Sequence, residues 1–371
     1  MPFSADELAR YQRHLSLAGF GPGAQEKLKR GSVLVVGAGG LGCPALLYLA
    51  AAGVGRIVVI DADRVDVSNL QRQVLYTGAD AGAPKAEAAA RRLRALNSLI
   101  EITPRTERFT RTNALELIRS VDVVLDGSDN FATRYLVNDA CVLAGRPFVY
   151  GAIQGFEGQL SVFNWHNGPT YRCLFPEPPA PGTVPNCADA GVLGVLPGLI
   201  GTAQACETIK LLTGLGEPLS GRLLLWDALT METRCVTLAP DPRSREIHGL
   251  PPEGYGETCG APIGEEIEVD ALRTALAGGP STQLLDVREA WERAMMGAIE
   301  PSAHIPLGEL ERGVDGALAG FDPARPTVVY CAHGARSLRG AQLLREHYGF
   351  SGAVSLRGGF EAWRNAVTGR M

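Results

Sequence analysis

The sequence predicts an α/β protein with a mainly parallel sheet in a large first domain and a smaller α/β domain behind it. Three observations carry this. Short β-branched runs alternate with helical ones through the first half: 33–36 then 43–52, 56–60 then 84–97, 121–125 then 131–144, and 148–150. Strands that are apolar almost throughout indicate a parallel sheet covered by helices on both faces. Between 240 and 264 the chain holds five prolines and five glycines and no sustained period, which marks a domain boundary. Beyond it, 284–287 and 327–331 read as strands and 335–347 as a helix. The expected organisation is therefore a domain over 1–240, a linker over 241–264 and a second domain over 265–371. A chain of 371 residues with 46% hydrophobic and 20% charged side chains can fill two cores.

Taken in order, the elements have local reasons. Residues 31–55 carry no charge over a length that could span a membrane, but their glycines and Pro44 split them into strand, turn and helix. Pro84 suits the first turn of an Ala-rich helix, where its missing N–H would be unpaired anyway. Residues 158–163 and 221–237 read as strands with more alternation, around a helix at 197–213. Six prolines within 168–185 are too many for a helix or an inner strand and point to an exposed crossing loop, with Cys187 just past it.

Charge and cysteine content narrow the function. The net charge of -5, from 35 Lys and Arg against 40 Asp and Glu, lacks the basic excess expected of a protein held to phosphate backbones, so no direct nucleic-acid partner is expected. The start, MPFSADELARYQRH, lacks the apolar core of a secretory signal. Eight cysteines are too few for a disulfide scaffold and read as thiols in a reducing compartment. A cytoplasmic protein with no membrane contact is the expectation. Cys43, Cys141, Cys206 and Cys235 lie in apolar runs and are expected in the core.

The strand at 33–36 runs into G-A-G-G-L-G, a G-x-G-x-x-G turn at Gly37, Gly39 and Gly42, with Asp61 ending the next strand. Such a turn brings backbone N–H groups to a phosphate at a helix N-terminus, and the acidic residue takes ribose hydroxyls, as in Rossmann-like domains. Alone, this fingerprint favours a nicotinamide or flavin dehydrogenase. The segment D-A-D-R-V-D-V-S-N-L-Q-R-Q (61–73) adds Asn69 and Arg72, and Lys85 opens the next helix. Polar and cationic side chains of this kind suit a triphosphate about to be cleaved. Asp129, in L-D-G-S-D-N (125–130), follows a sheet strand, where a carboxylate can hold Mg²⁺. The competing roles are surface charges for Arg72 and Lys85 and a helix N-cap for Asp129.

Over about 5–240 these motifs, G-A-G-G-L-G-C-P, the 61–73 segment, P-K at 84–85 and D-G-S-D-N at 126–130, resemble the ThiF/MoeB family of ubiquitin-activating-type adenylyltransferases. The resemblance implies an ATP site formed by Gly37, Gly39, Gly40, Asp61, Ser68, Asn69, Arg72, Lys85, Asp129 and Asn130, with Mg²⁺ at Asp129. It implies adenylation of the C-terminal glycine of a ubiquitin-like sulfur carrier. R-Y-Q-R-H (10–14) resembles the family's opening, which implies a homodimer whose Arg13 reaches into the partner's ATP site. Cys187, in P-N-C-A-D-A-G-V, matches a mobile-loop cysteine that bonds the carrier in some members; its bland alternative is a buried thiol. Many members bind structural zinc through two C-x-x-C pairs. Here only Cys173 survives of T-Y-R-C and only Cys259 of G-E-T-C. Two thiolates do not close a tetrahedral site, so zinc is not expected.

Cys331 ends an apolar strand and begins C-A-H-G-A-R-S, which runs into a helix. Loop N–H groups and the helix dipole favour a thiolate or persulfide there. With L-L-D-V-R-E (284–289), A-H-I-P-L (303–307) and L-R-G-G-F-E-A-W (356–363), the segment resembles a rhodanese domain over nearly all of 265–371. That implies a persulfide on Cys331, balanced by Arg336 and the loop amides, with Asp286 and Arg288 bracing the fold. The fusion implies a thiocarboxylate product: ATP makes the acyl-adenylate, and sulfur from Cys331 displaces AMP. Cys187 is a candidate to resolve the acyl disulfide. A cysteine desulfurase or thiosulfate would supply the sulfur. The competing readings are an NAD-dependent oxidoreductase, a ThiF-like enzyme activating a tRNA-linked carboxylate, and a binding module with both sites inactive.

Overall fold

The computed structural model describes residues 3–178, 191–252, 254–255, 266–278, 282–313 and 318–368. The described residues form two compact units, one of 3–178 with 191–255, the other of 266–368. Cys187, Gly256 and Cys259 lie outside the described residues.

The first unit opens with three helices, α1 (Ala5–Arg10), α2 (Gln12–Leu15) and α3 (Gly21–Arg30). Ser4 and Glu7 cap the first reciprocally: the Ser4 hydroxyl accepts from the Glu7 N–H at 3.1 Å, and the Glu7 carboxylate from the Ser4 N–H at 2.7 Å. Then β1 (Ser32–Val36), α4 (Gly42–Ala52), β2 (Arg56–Ile60), α5 (Lys85–Leu96), β3 (Glu101–Arg105), α6 (Ala114–Arg119), β4 (Val123–Asp126), α7 (Phe131–Ala144) and β5 (Phe148–Gln154) alternate, with β3 and α6 added to the elements the sequence predicts. The remaining elements are β6 (Glu157–Phe163), α8 (Tyr171–Leu174), α9 (Leu196–Thr213), β7 (Arg222–Asp227) and β8 (Thr233–Thr237).

Eight strands make one sheet in the order β3-β2-β1-β4-β5-β6-β7-β8, parallel as far as β5 and antiparallel beyond. Side chains alternate along β1 between the two faces. Val33 and Val35 join a core with Leu46, Leu49, Ala89 and Leu93 of α4 and α5. Leu34 and Val36 join one with Ile118, Tyr135 and Val137 of α6 and α7. Helix α4 ends at Gly53, whose φ of 87° suits glycine. A Cβ there would also lie 2.5 Å from the Tyr11 ring.

Four expectations change. Cys206 and Cys235 are exposed, whereas Cys43 and Cys141 are buried. Helix α9 is apolar on most sides, so composition does not reveal that Cys206 faces outward. Cys235 lies on β8, an edge strand whose residues are all exposed. The run 221–237 is a two-strand hairpin rather than one strand, and 168–185 holds a short helix, α8, with Tyr171 fully buried. Residues 241–255, expected as linker, pack on the first unit: Leu250 and Tyr255, partly buried, lie against its core, and the Tyr255 hydroxyl donates to Asp139 at 2.7 Å.

The second unit carries β9 (Glu266–Ile267), α10 (Val269–Ala277), β10 (Gln283–Asp286), α11 (Ala290–Met296), β11 (Ala303–His304), α12 (Leu307–Arg312), β12 (Thr327–Tyr330), α13 (Ala335–His347), β13 (Ala353–Leu356) and α14 (Gly359–Thr368). Its five strands are all parallel, in the order β11-β10-β12-β13-β9. Asp286 and Arg288 are wholly buried as a two-bond ion pair at 2.9 and 2.7 Å, the guanidinium lying 4.2 Å from the Phe360 ring centroid. They brace the end of β10.

Candidate functional sites

In the first unit the strand order reverses between β1 and β4, the switch point at which parallel sheets open a crevice at their C-terminal edge. The turns leaving these strands touch. Gly37 has a φ of 91°, and a Cβ on it would lie 2.9 Å from the Gly127 carbonyl oxygen, so glycine is required twice over. A Cβ at Gly39 would lie 3.7 Å from Gln73 Nε2, and one at Gly40 3.7 Å from Arg72 Cδ. The 69–73 segment is thus laid along the glycine turn.

Asp61 faces the same turn. Its carboxylate accepts from the N–H of Ala38 and of Asp63, both at 2.8 Å, and burial pushes its carboxyl upward. Lys85 is buried and bonds Asp63 at 2.9 Å; that carboxylate is exposed, so the ammonium can exchange it for a phosphate oxygen. Asn69 Oδ1 accepts from Arg72 at 3.2 Å and from Gln73 at 2.9 Å, which fixes the direction of its amide. Ser68 is turned to Asp66, donating to its carboxylate at 2.5 Å.

Asp129 and Asn130 part company. Asn130, not Asp129, caps α7, accepting from the Thr133 N–H at 2.9 Å. Asp129 is exposed two residues from the Gly37–Gly127 contact and makes no hydrogen bond or ion pair among the described residues. An uncommitted carboxylate at that edge fits a Mg²⁺ ligand. Behind it, Asp126 is fully buried and accepts twice from Ser128, and burial raises its carboxyl; the buried Arg134 donates to the Ser128 carbonyl at 3.3 Å. Neither this support nor Gln73 was singled out from sequence, although Gln73 stands one helical turn from Asn69.

Arg13 is not part of this crevice. Tyr11 packs at Gly53, the C-terminal end of the 11-residue α4, while the glycine turn lies at its other end, about 16 Å away at 1.5 Å per residue. Arg13, two residues from Tyr11, is exposed there.

Cys173 is the remaining thiol of interest in this unit. Its sulfur accepts from the N–H of Thr170 and of Asp241, both at 3.3 Å, and lies 3.1 Å from the Ser244 hydroxyl. Burial opposes ionisation, but these donors outweigh it and lower the thiol below its ordinary value. The sulfur thus faces the 241–244 turn, and hydrogen bonds join the loop to it. Among the described residues no three His, Cys, Asp or Glu side chains gather as metal ligands.

The second site lies at the C-terminal edge of β12. Cys331 is buried and its sulfur accepts from the Gly334 N–H at 3.1 Å. Gly334 adopts a φ of 113°, which turns that amide inward. The loop's Arg336 forks onto Glu292 through two bonds of 2.7 Å. Burial disfavours the Glu292 charge, but Arg336 and the Glu289 N–H hold its carboxyl below the usual range. The expected balancing of a persulfide by Arg336 therefore has a competitor, since Glu292 already neutralises that guanidinium. His333, exposed at the loop, pairs with Glu361 at 2.8 Å.

A model of the ThiF family matches residues 11–246, and a model of the rhodanese-like domain matches 268–366. A probable adenylyltransferase/sulfurtransferase MoeZ of Mycobacterium tuberculosis is 45% identical, over 97% of this chain and 93% of that protein. A sulfur carrier protein adenylyltransferase of Thermus thermophilus is 56% identical over 66% of this chain and 92% of its own length. The adenylyltransferase and sulfurtransferase MOCS3-1 of Zea mays is 41% identical over 98% of this chain and 82% of its own. Among solved structures, the microcin C7 biosynthetic enzyme MccB in complex with N-formylated MccA aligns with a TM-score of 0.58 at 22% identity, covering 65% of this chain and 76% of that one, a likeness of fold.

Proposed function

Because the chain belongs to the ThiF family and continues into a rhodanese-like domain, we propose that it adenylates the C-terminal Gly-Gly tail of a ubiquitin-like sulfur carrier and converts it to a thiocarboxylate. The protein is an adenylyltransferase and a sulfurtransferase, as its full-length relatives are named, and it uses ATP. Nothing in the comparisons supports an NAD-dependent oxidoreductase or activation of a tRNA-linked carboxylate. No helix among the described residues is long and apolar enough to cross a membrane.

The observation that carries the reading is the assembly of the glycine turn, Asp61 and the 69–73 segment at one switch point, with the uncommitted Asp129 at its edge. The carrier's terminal carboxylate attacks the α-phosphorus of ATP, the bond to the β-phosphate oxygen breaks, and pyrophosphate leaves. Gly37, Gly39 and Gly40 admit the phosphates to backbone N–H groups, and Asp61 takes the ribose. Asn69, Arg72 and Lys85 align the phosphates and offset their growing charge, with Ser68 and Asn130 flanking them. Mg²⁺ at Asp129 would neutralise charge on the leaving pyrophosphate.

Arg13 acts from a partner copy in a homodimer. Its place at the far end of α4 from its own glycine turn supports this. In the second half, the outer sulfur of a Cys331 persulfide attacks the acyl carbon, and AMP departs with the electron pair of the broken C–O bond. Cys187 then attacks Cys331 Sγ, expelling the thiocarboxylate and leaving a disulfide for an external thiol to reduce. A cysteine desulfurase or thiosulfate loads Cys331 in a reducing, cytoplasmic setting. The test is ATP–pyrophosphate exchange with candidate carriers ending in Gly-Gly: exchange that requires the carrier supports the reading, and exchange with none of them overturns it.

A further inference from the structure

Ser337 and Ser355 are both fully buried beside Cys331. The Ser337 hydroxyl lies 3.5 Å from Cys331 Sγ, 2.8 Å from the Gly334 carbonyl oxygen and 2.8 Å from Ser355 Oγ. Ser355 reaches the same Gly334 carbonyl at 3.3 Å. Each hydroxyl has one hydrogen to give, so the pattern depends on the charge of the sulfur. With a neutral thiol, the S–H can donate to Ser337 Oγ while Ser337 donates to Gly334. With a thiolate, Ser337 turns its hydrogen to the sulfur, and Ser355 takes over the Gly334 carbonyl. Buried polar groups stay satisfied in both states, and the switch needs only two hydroxyl rotations.

We propose that Ser337 is a catalytic residue in the steps that release Cys331 as a thiolate, namely removal of the outer sulfur by an incoming nucleophile and reduction of the Cys187–Cys331 disulfide, and that Ser355 positions it by relieving it of the Gly334 carbonyl. The proposal rests on Cys331 being the sulfur carrier. It concerns both half-reactions. In loading from thiosulfate, the Cys331 thiolate attacks the outer sulfur, the S–S bond breaks, and sulfite leaves with its electron pair. In discharge to cyanide, the nucleophile takes the outer sulfur as thiocyanate, and the S–S electron pair returns to Cys331 Sγ. Charge grows on Sγ only in discharge, so a hydrogen bond there accelerates discharge. In loading, where charge leaves Sγ, it tempers the attack. With Arg336 forked onto Glu292, this hydroxyl and the Gly334 N–H are, among the described residues, the donors in contact with the sulfur.

The test uses the full chain, with loading and discharge timed separately. Ser337→Val and Ser337→Thr have nearly the same shape and differ in the hydroxyl. At about pH 9, where an ordinary thiol is largely ionised, Ser337→Val should slow discharge by about ten- to a hundredfold and change loading by less than about threefold. Ser337→Thr should restore discharge, and Ser355→Ala should fall between. Equal rates in the Val and Thr variants, or equal losses in both half-reactions of the Val variant, would overturn the proposal. Failure of the unsubstituted protein to load would remove Cys331 from its role and the proposal with it, while carrier-dependent exchange would survive.

Discussion

The two sites solve different problems. At the proposed nucleotide site the groups assigned to the ligand are held loosely or left open: Asp129 has no partner among the described residues, Lys85 rests on an exposed carboxylate, and Arg13 stands at the wrong end of α4 for its own crevice. At the proposed sulfur site Cys331 Sγ is buried and hydrogen-bonded by Gly334 and Ser337, and Arg336 is locked by Glu292. A site that takes up a highly charged nucleotide and a protein tail is completed by its ligands. One that carries a single atom is built in advance.

The largest expected effect breaks this contrast at its open end. Asp129→Ala should lower carrier-dependent ATP–pyrophosphate exchange by about a hundred- to a thousandfold, with thiosulfate loading of Cys331 unaltered. Exchange near that of the unsubstituted protein would reduce Asp129 to a surface charge. The next acts on the preformed end. Arg288→Ala removes both guanidinium donors of the buried Asp286 carboxylate and leaves, among the described residues, only Arg293, at 3.9 Å, as its cation, and should destabilise the second unit by about 3–5 kcal/mol, measured by urea unfolding. Exchange should persist, and its loss would mean that the two units do not act as separately as their separate cores imply.

The third sharpens the contrast through pH. The Glu292 carboxyl is held down mainly by Arg336 against burial, so it stabilises the folded unit above the unfolded value of about 4.3 and ceases to as pH falls through its lower folded value. Glu292→Gln should be less stable near neutral pH and lose less stability on acidification. Parallel acid profiles for the two proteins would contradict the fork.

Much of this was legible because it is written in local pattern. The apolar runs of β1, β2 and β4, the glycine turn and the Cys331 loop are each consecutive in sequence, and the structure forms each where its residues stand. What was not legible depends on residues distant in sequence. Glu292 meets Arg336 across 44 positions, and Ser355 meets Ser337 across 18. The direction in which Cys206 faces is a property of packing, as is the docking of Leu250 and Tyr255, which composition alone presents as linker. Asp129 and Asn130 illustrate the finest limit, because neighbouring residues with similar capping propensity divide cap and open carboxylate between them only once the helix has a register.

The central claim is that one chain activates a carrier tail at the first site and gives it sulfur from the second. Its most direct test is Cys331→Ser, with carrier-dependent exchange and the mass of the carrier's C-terminus followed in the same reaction with ATP and a sulfur donor. The account predicts exchange at the unsubstituted rate and a carrier that remains carboxylate. Thiocarboxylate formed at the unsubstituted rate would contradict it.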